Sequence, residues 1–239
     1  MKILAFDTST QWGSVALLDE SVENLILAEE KVYSQRTHTE KLLPMVDDLL
    51  RRVNGDFSDV DAYAVGRGPG SFTGIRISLA TAQAFAFATQ KRIIGISTLK
   101  AMAFGKKDYP GVICPLLPAT RGEVYTALFR FGLEKEGEEI LKETVIGEGV
   151  LLELLKEYHI KMAGPLPILL VGERQNFSEN FLEEASFLRW EKEVIYPKAS
   201  SIALLALEEI KKGDVFSHSG PSPSYLRLSQ AEVNLMKRN

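Results

Sequence analysis

Asp7, Thr8, Ser9 and Thr10 stand together at the end of the apolar run "KILAF". A carboxylate beside hydroxyls and free backbone amides is one way to hold Mg²⁺ and a phosphate. The same residue types build ordinary turns, because their short polar side chains bond nearby backbone. Position alone leaves both readings open. A second stretch with chemical potential is "GRGPGSFTGIRISLATAQAFA", residues 66–86. Its core, Gly68-Pro69-Gly70-Ser71-Phe72-Thr73-Gly74, lacks the Lys of a phosphate-cradling P-loop, and its third glycine comes one residue late for the dinucleotide pattern. Backbone N–H groups at the start of a helix still attract anions. Gly68, Gly70 and Ser71 therefore join Asp7, Thr8 and Ser9 as candidates for a phosphate or nucleotide site.

Other chemistries find little support. His38, His159 and His218 are far apart and none pairs with a second ligand at helical spacing, so no metal is expected. Ser71 lacks the G-x-S-x-G context of a hydrolase nucleophile. Cys114 is the single cysteine, which rules out an internal disulfide and suits a reducing compartment. No signal peptide or bilayer-length apolar segment is visible, and the expected location is cytoplasmic, without membrane attachment. The net charge of −4 argues against independent binding of nucleic acid.

The elements that must position these residues follow from periodicity. "KILAFDTS" and "GSVALLDE" predict a hairpin, and "LILAEEKVYS" a third strand. In "THTEKLLPMVDDLLRRV" the apolar residues Leu42, Val46, Leu49, Leu50 and Val53 keep helical spacing, with Thr37 and Thr39 as candidate caps and Pro44 near the first turn or at a kink. "VDAYAVG" and "RIIGIS" predict buried strands flanking a helix from about residue 73 to 90, and "TLKAMAFG" a short helix. Further on, "GVICPLLPATRGEVYTALFRF" predicts two strands around Arg121-Gly122. "GVLLELLKEYHI" predicts a helix, "PILLVGE" a strand, and "SSIALLALEEIKKGD" a helix closed by Gly213. The charge-rich run Glu134–Glu143 is expected to form a solvated hairpin or loop. This order implies an α/β fold with a mixed sheet in each half, divided into residues 1–108 and 109–239 near "GKKDYPGV".

Within the helix after the glycine loop, Gly74, Ser78, Ala82 and Ala86 recur every four residues, a stripe of small side chains that lets another backbone come close. Apolar residues Ile75, Ile77, Leu79, Phe85 and Phe87 cover much of the remainder. A helix that is apolar nearly all round must be covered on more than one side, by its own sheet and by a second helix from this chain or a partner.

The blocks "KILAFDTST", "HTEKLLPMVDDLL", "GRGPGSFTGIRISLATAQAFA", "GISTL", "GEVY" and "PSYLRLSQAE" occur in the order characteristic of the TsaB (YeaZ) family, which the chain resembles from residue 2 to about 232. The resemblance implies an actin-like ATPase (ribonuclease H-like) fold of two related lobes. It also implies a non-catalytic subunit of the complex that forms N6-threonylcarbamoyladenosine in tRNAs reading codons that begin with A. The catalytic partner would be TsaD, the recruited ATPase TsaE, and tRNA would be reached through the complex; alone, the chain would form a homodimer. Leu42, Val46, Leu49, Gly74, Ser78, Ala82 and Ala86 would form the partner interface, so Ala82→Arg is expected to abolish association while sparing the fold. The positions of TsaD's metal-binding histidines correspond to Thr98 and Met102, and Pro118 stands where relatives tend to carry an acid. The "VGER" turn offers one glycine, Gly172. These departures imply a degenerate nucleotide site, no ATP hydrolysis by the chain alone, and ATP or ADP only at an interface of the complex. A stand-alone actin-fold, ATP-dependent kinase is the alternative, and a peptidase a remote third class.

Overall fold

The computed structural model describes residues 1–34, 38–120, 122–132, 137–161, 167–185, 188–213 and 220–226. Thr37, Arg121, His218, the start of the charge-rich run and the end of "PSYLRLSQAE" lie outside them. The chain forms two compact units: Met1–Ala101 with Pro197–Ser224, and Met102–Tyr196 with the tail from Tyr225. The expected division into residues 1–108 and 109–239 is thus corrected at both ends.

In the first unit β1 (Lys2–Asp7), β2 (Trp12–Asp19) and β3 (Ile26–Tyr33) form an antiparallel meander, as the alternating and apolar runs predict. β4 (Ala62–Gly66) and β5 (Arg92–Ile96) add in parallel on the far side of β1, giving the order β3-β2-β1-β4-β5. β1 is apolar almost without alternation because both of its faces are covered. Leu4 and Phe6 join the core beneath α1 (His38–Arg52) and α2 (Phe72–Thr89). Ile3 and Ala5 point the other way, where α6 (Ala199–Lys212) packs against β1, β2, β4 and β5. That packing is why Pro197–Ser224 belongs to this unit: Ile202, Ala203, Leu205 and Ala206 are buried on it. α6 lacks a cap from Lys198; Glu29 of β3 instead accepts from Ser200 N and Oγ at 2.9 and 2.8 Å. Pro44 stands exposed at the seventh position of α1, past its first turn.

α3 (Thr98–Phe104) leads into the second unit. There β6 (Val112–Pro118), β7 (Glu123–Arg130) and β8 (Glu138–Gly147) are antiparallel neighbours, and β9 (Ile168–Val171) and β10 (Arg189–Trp190) continue in parallel from β6. The order β8-β7-β6-β9-β10 repeats that of the first sheet. α4 (Glu148–Lys161) and α5 (Glu179–Glu184) cover it through Leu151, Leu155 and Phe181. Glu138 to Glu143 of the charge-rich run, expected as hairpin or loop, belong to β8: paired charges flank Ile140 and Leu141, which pack on the core.

Candidate functional site

The turn after β1 is built inward. Asp7, Thr8 and Ser9 are 0–1% exposed. Ser9 N and Oγ both donate to Asp7 Oδ1, at 2.8 and 2.7 Å, and Thr98 Oγ1 approaches Oδ2 at 3.4 Å. Among the described residues no cation compensates this carboxylate, and burial pushes its pKa from 3.8 up to about 6, with the bonds from Ser9 and Thr98 restraining the rise. Gly66, at the end of β4, makes the room: a Cβ there would lie 1.6 Å from Asp7 Oδ2.

Thr8 ties the same turn to α2. Its hydroxyl donates to Gly74 O at 2.7 Å, and its N–H donates to Ser78 Oγ at 3.0 Å. The Thr8 proton is committed to Gly74, so Ser78 Oγ is the donor across the 2.7 Å contact between the two hydroxyls. The glycine loop closes from the other side. Ser71 N donates to Ser9 O at 2.7 Å, Thr98 N to Gly68 O at 2.9 Å, and Gly70 lies against the Ser9 backbone. Ser71 Oγ caps α2 by accepting from Gly74 N at 3.2 Å. Asp7, Thr8, Ser9, Gly68, Gly70 and Ser71 therefore do come together. They do so with the amides of Ser9, Ser71 and Gly74 already engaged by acceptors of this chain, and those amides were the natural partners for a phosphate.

The small-residue stripe proves to be the inner face of α2, a correction to its assignment as partner interface. Gly74 meets Thr8 so closely that a Cβ would lie 1.9 Å from its carbonyl oxygen. Ser78, Ala82 and Ala86 are fully buried, and Leu42, Val46 and Leu49 of α1 belong to the same core. Spacing by four identifies a close approach but not what approaches, and here it is the chain's own β1–β2 turn. Ala82→Arg would bury a guanidinium in that core, so the expectation of an intact fold fails with it.

The outward face of α2 carries a different pattern. Ile77, Ala80, Ala84 and Phe87 follow one another by three, four and three residues. Ile77 is half-buried, Ala80 and Ala84 are exposed, and Phe87 is 78% exposed. On α1, Leu43 is 53% exposed. Sequence reasoning passed over this face because its alanines look weaker than the glycine-containing stripe. It also missed Gly66 and the contact of Thr98 with Asp7, although a glycine closing a buried strand and a threonine opening a helix were both visible. His38 Nε2 donates to Thr10 O at 2.8 Å. Among the described residues no three His, Cys, Asp or Glu side chains cluster as a metal would need, and no helix is long and apolar enough to cross a membrane.

Two mixed sheets of one strand order, a three-stranded antiparallel meander extended by two parallel strands, define an actin-like ATPase fold of ribonuclease H-like lobes, as the sequence resemblance implied. The family model described as TsaD, tRNA N6-adenosine threonylcarbamoyltransferase, matches residues 27–235. The tRNA threonylcarbamoyladenosine biosynthesis protein TsaB of Bacillus subtilis is 31% identical over 98% of this chain and 97% of its own length. Its Escherichia coli namesake is 31% identical over 97% and 96%. A Pseudomonas aeruginosa crystal structure, described as an uncharacterized protein with similarity to peptidase YeaZ, superposes with a TM-score of 0.78 at 28% identity, covering 95% of this chain and 99% of that one. The chain belongs to the TsaB (YeaZ) family.

Proposed function

We propose that this chain is a non-catalytic, cytoplasmic subunit of the complex that forms N6-threonylcarbamoyladenosine in tRNAs reading codons that begin with A. It binds and stabilises TsaD and helps recruit TsaE, and the same surface pairs two copies when TsaD is absent. The observation that carries this reading is the outward strip of α2, Ile77, Ala80, Ala84 and Phe87, whose apolar groups sit at coiled-coil spacing: Ile77 leans on the core, while Ala80, Ala84 and Phe87 stay exposed among the described residues. This strip replaces the buried stripe as the interface. Two further features support the assignment of chemistry to another subunit. Asp7, the residue a kinase would direct at metal and phosphate, is enclosed by Gly66 and engaged by Ser9 and Thr98. The net charge of −4 suits tRNA contact through TsaD. Any ATP or ADP would then be held at an interface of the complex and not by this chain alone.

Reconstitution tests the proposal. Purified TsaD, TsaE, threonylcarbamoyl-adenylate synthase and tRNA should give modified tRNA only when the chain is added. Phe87→Lys should keep the melting temperature, because the side chain is exposed, while abolishing co-elution with TsaD and the modification. Equal modification without the chain, or normal co-elution of Phe87→Lys, would overturn the proposal.

A further inference from the structure

The second unit contains a cleft of about 780 Å³ beside β10, within the range of about 300–1,000 Å³ typical of small-molecule sites. Three cations, Lys106, Arg189 and Lys192, and two carboxylates, Asp108 and Glu191, line it. They are not equivalent. Lys106 Nζ lies 2.7 Å from Glu191 Oε2, and this pair, largely shielded from solvent, fastens the segment after β10 to the one after α3. The bond from Lys106 also holds the Glu191 carboxyl below its ordinary range. Arg189 has no carboxylate partner among the described residues. Its guanidinium is near enough to Tyr109 to offset part of the rise that burial imposes on the phenol's pKa.

Two residues that line this cleft carry an unmatched donor. Tyr109 and Trp190 both line it, and Tyr109 Oη and Trp190 Nε1 are each buried without a hydrogen-bond partner. A buried donor without an acceptor is unusual in a folded protein and marks either strain or a binding function. Trp190 cannot readily turn away: its indole packs against Phe177 and Phe181, with ring centroids 5.5 and 6.4 Å apart. Arg189 is in register with Leu169 of β9, which supplies an apolar wall. A rigid indole N–H, a phenol O–H and a guanidinium with no carboxylate partner among the described residues share one requirement, a negatively charged group rich in acceptor oxygens.

The geometry points to this cleft as a binding site for a small organic oxyanion, a phosphate or carboxylate, held by Arg189, Tyr109 and Trp190. It lies entirely within the second unit and uses none of the residues around Asp7. The test is an NMR titration of the full chain, read at the indole N–H signals of its two tryptophans, Trp12 and Trp190. Inorganic phosphate is the probe in one arm and citrate in the other. The Trp190 signal should move saturably with at least one probe while that of Trp12 stays fixed, and the arm that saturates identifies the oxyanion. Arg189→Gln should weaken binding about tenfold or more, and Tyr109→Phe by a smaller factor, as expected for losing a charged and a neutral hydrogen bond. Unchanged thermal melts would show that both variants remain folded. Absence of saturation in both arms, joint movement of both indole signals, or undiminished binding by Arg189→Gln would overturn the assignment.

Discussion

The turn after β1 and the turn after β6 occupy the same place in two sheets of one strand order, yet they are built in opposite ways. The first is buried, tied to α2 through Thr8 and Ser78 and to the glycine loop through Ser9 and Ser71. The second begins at the exposed Pro118, and its described backbone bonds run within the turn, Ala119 N to Glu123 O at 2.9 Å and Glu123 N to Thr120 O at 3.4 Å, and to the start of α4, Glu148 N to Gly122 O at 3.1 Å. Gly122 there has a φ of +72° and nothing within 4 Å of a would-be Cβ. A repeated fold preserves the path of the backbone, while the side chains at equivalent turns are free to diverge. In the first lobe they lock a helix to a strand end; in the second they leave the strand end open to solvent.

Three substitutions bear on that contrast. Ala82→Arg should have the largest effect, about 4 kcal/mol or more, because it places an unpaired charge and a long side chain in a filled core. Chemical denaturation would read it, and near-normal stability would mean that the stripe is not sealed. Next comes a matched pair. Gly74→Ala drives a methyl into Thr8 O and should cost about 3 kcal/mol. Gly122→Ala meets open space and should cost only about 1 kcal/mol, for the left-handed backbone. Equal costs would erase the distinction between the two turns.

The smallest effect at acidic pH, but the most specific, belongs to Asp7→Asn. The folded-state pKa of Asp7 is raised from 3.8 to about 6, so the native state holds the proton more tightly than the unfolded chain. Stability from this group is full below about pH 4, falls as pH rises, and by pH 7.5 is lower by about 3 kcal/mol. An asparagine still accepts from Ser9 and can donate to Thr98, but does not ionise. The stability of Asp7→Asn relative to the native sequence should therefore rise between pH 4 and pH 7.5. A pH-independent difference in paired thermal melts would show that the carboxylate is not desolvated as its surroundings indicate.

Much of the frame was legible in the sequence because burial on both faces leaves unbroken apolar runs, as in β1 and β4, and burial on one face leaves helical spacing, as in α1. The gathering of Asp7–Ser9 with Gly68–Ser71 was legible as residue types on two neighbouring loops. The direction of the α2 stripe was not. Four-residue spacing is the same whether a small residue faces a sheet, a turn or a foreign helix, and only the contact of Ser78 with Thr8 decides it. The return of α6 to the first lobe was equally hidden, since an amphipathic helix reports that it needs a cover but not which sheet supplies it. β8 was obscured because paired charges around two adjacent apolar residues show no period-two pattern and look like loop until their partner strand is known.

The position of α6 in the chain has a consequence for biosynthesis. Translation delivers β1 through β5 first, and the helix that seals their rear face emerges after the whole second sheet. Until Pro197–Ser224 leaves the ribosome, the backs of β1, β2, β4 and β5 lie bare. The lobe encoded first is the one completed last, so a nascent chain stalled before that point holds an open, adhesive sheet that a chaperone would have reason to guard.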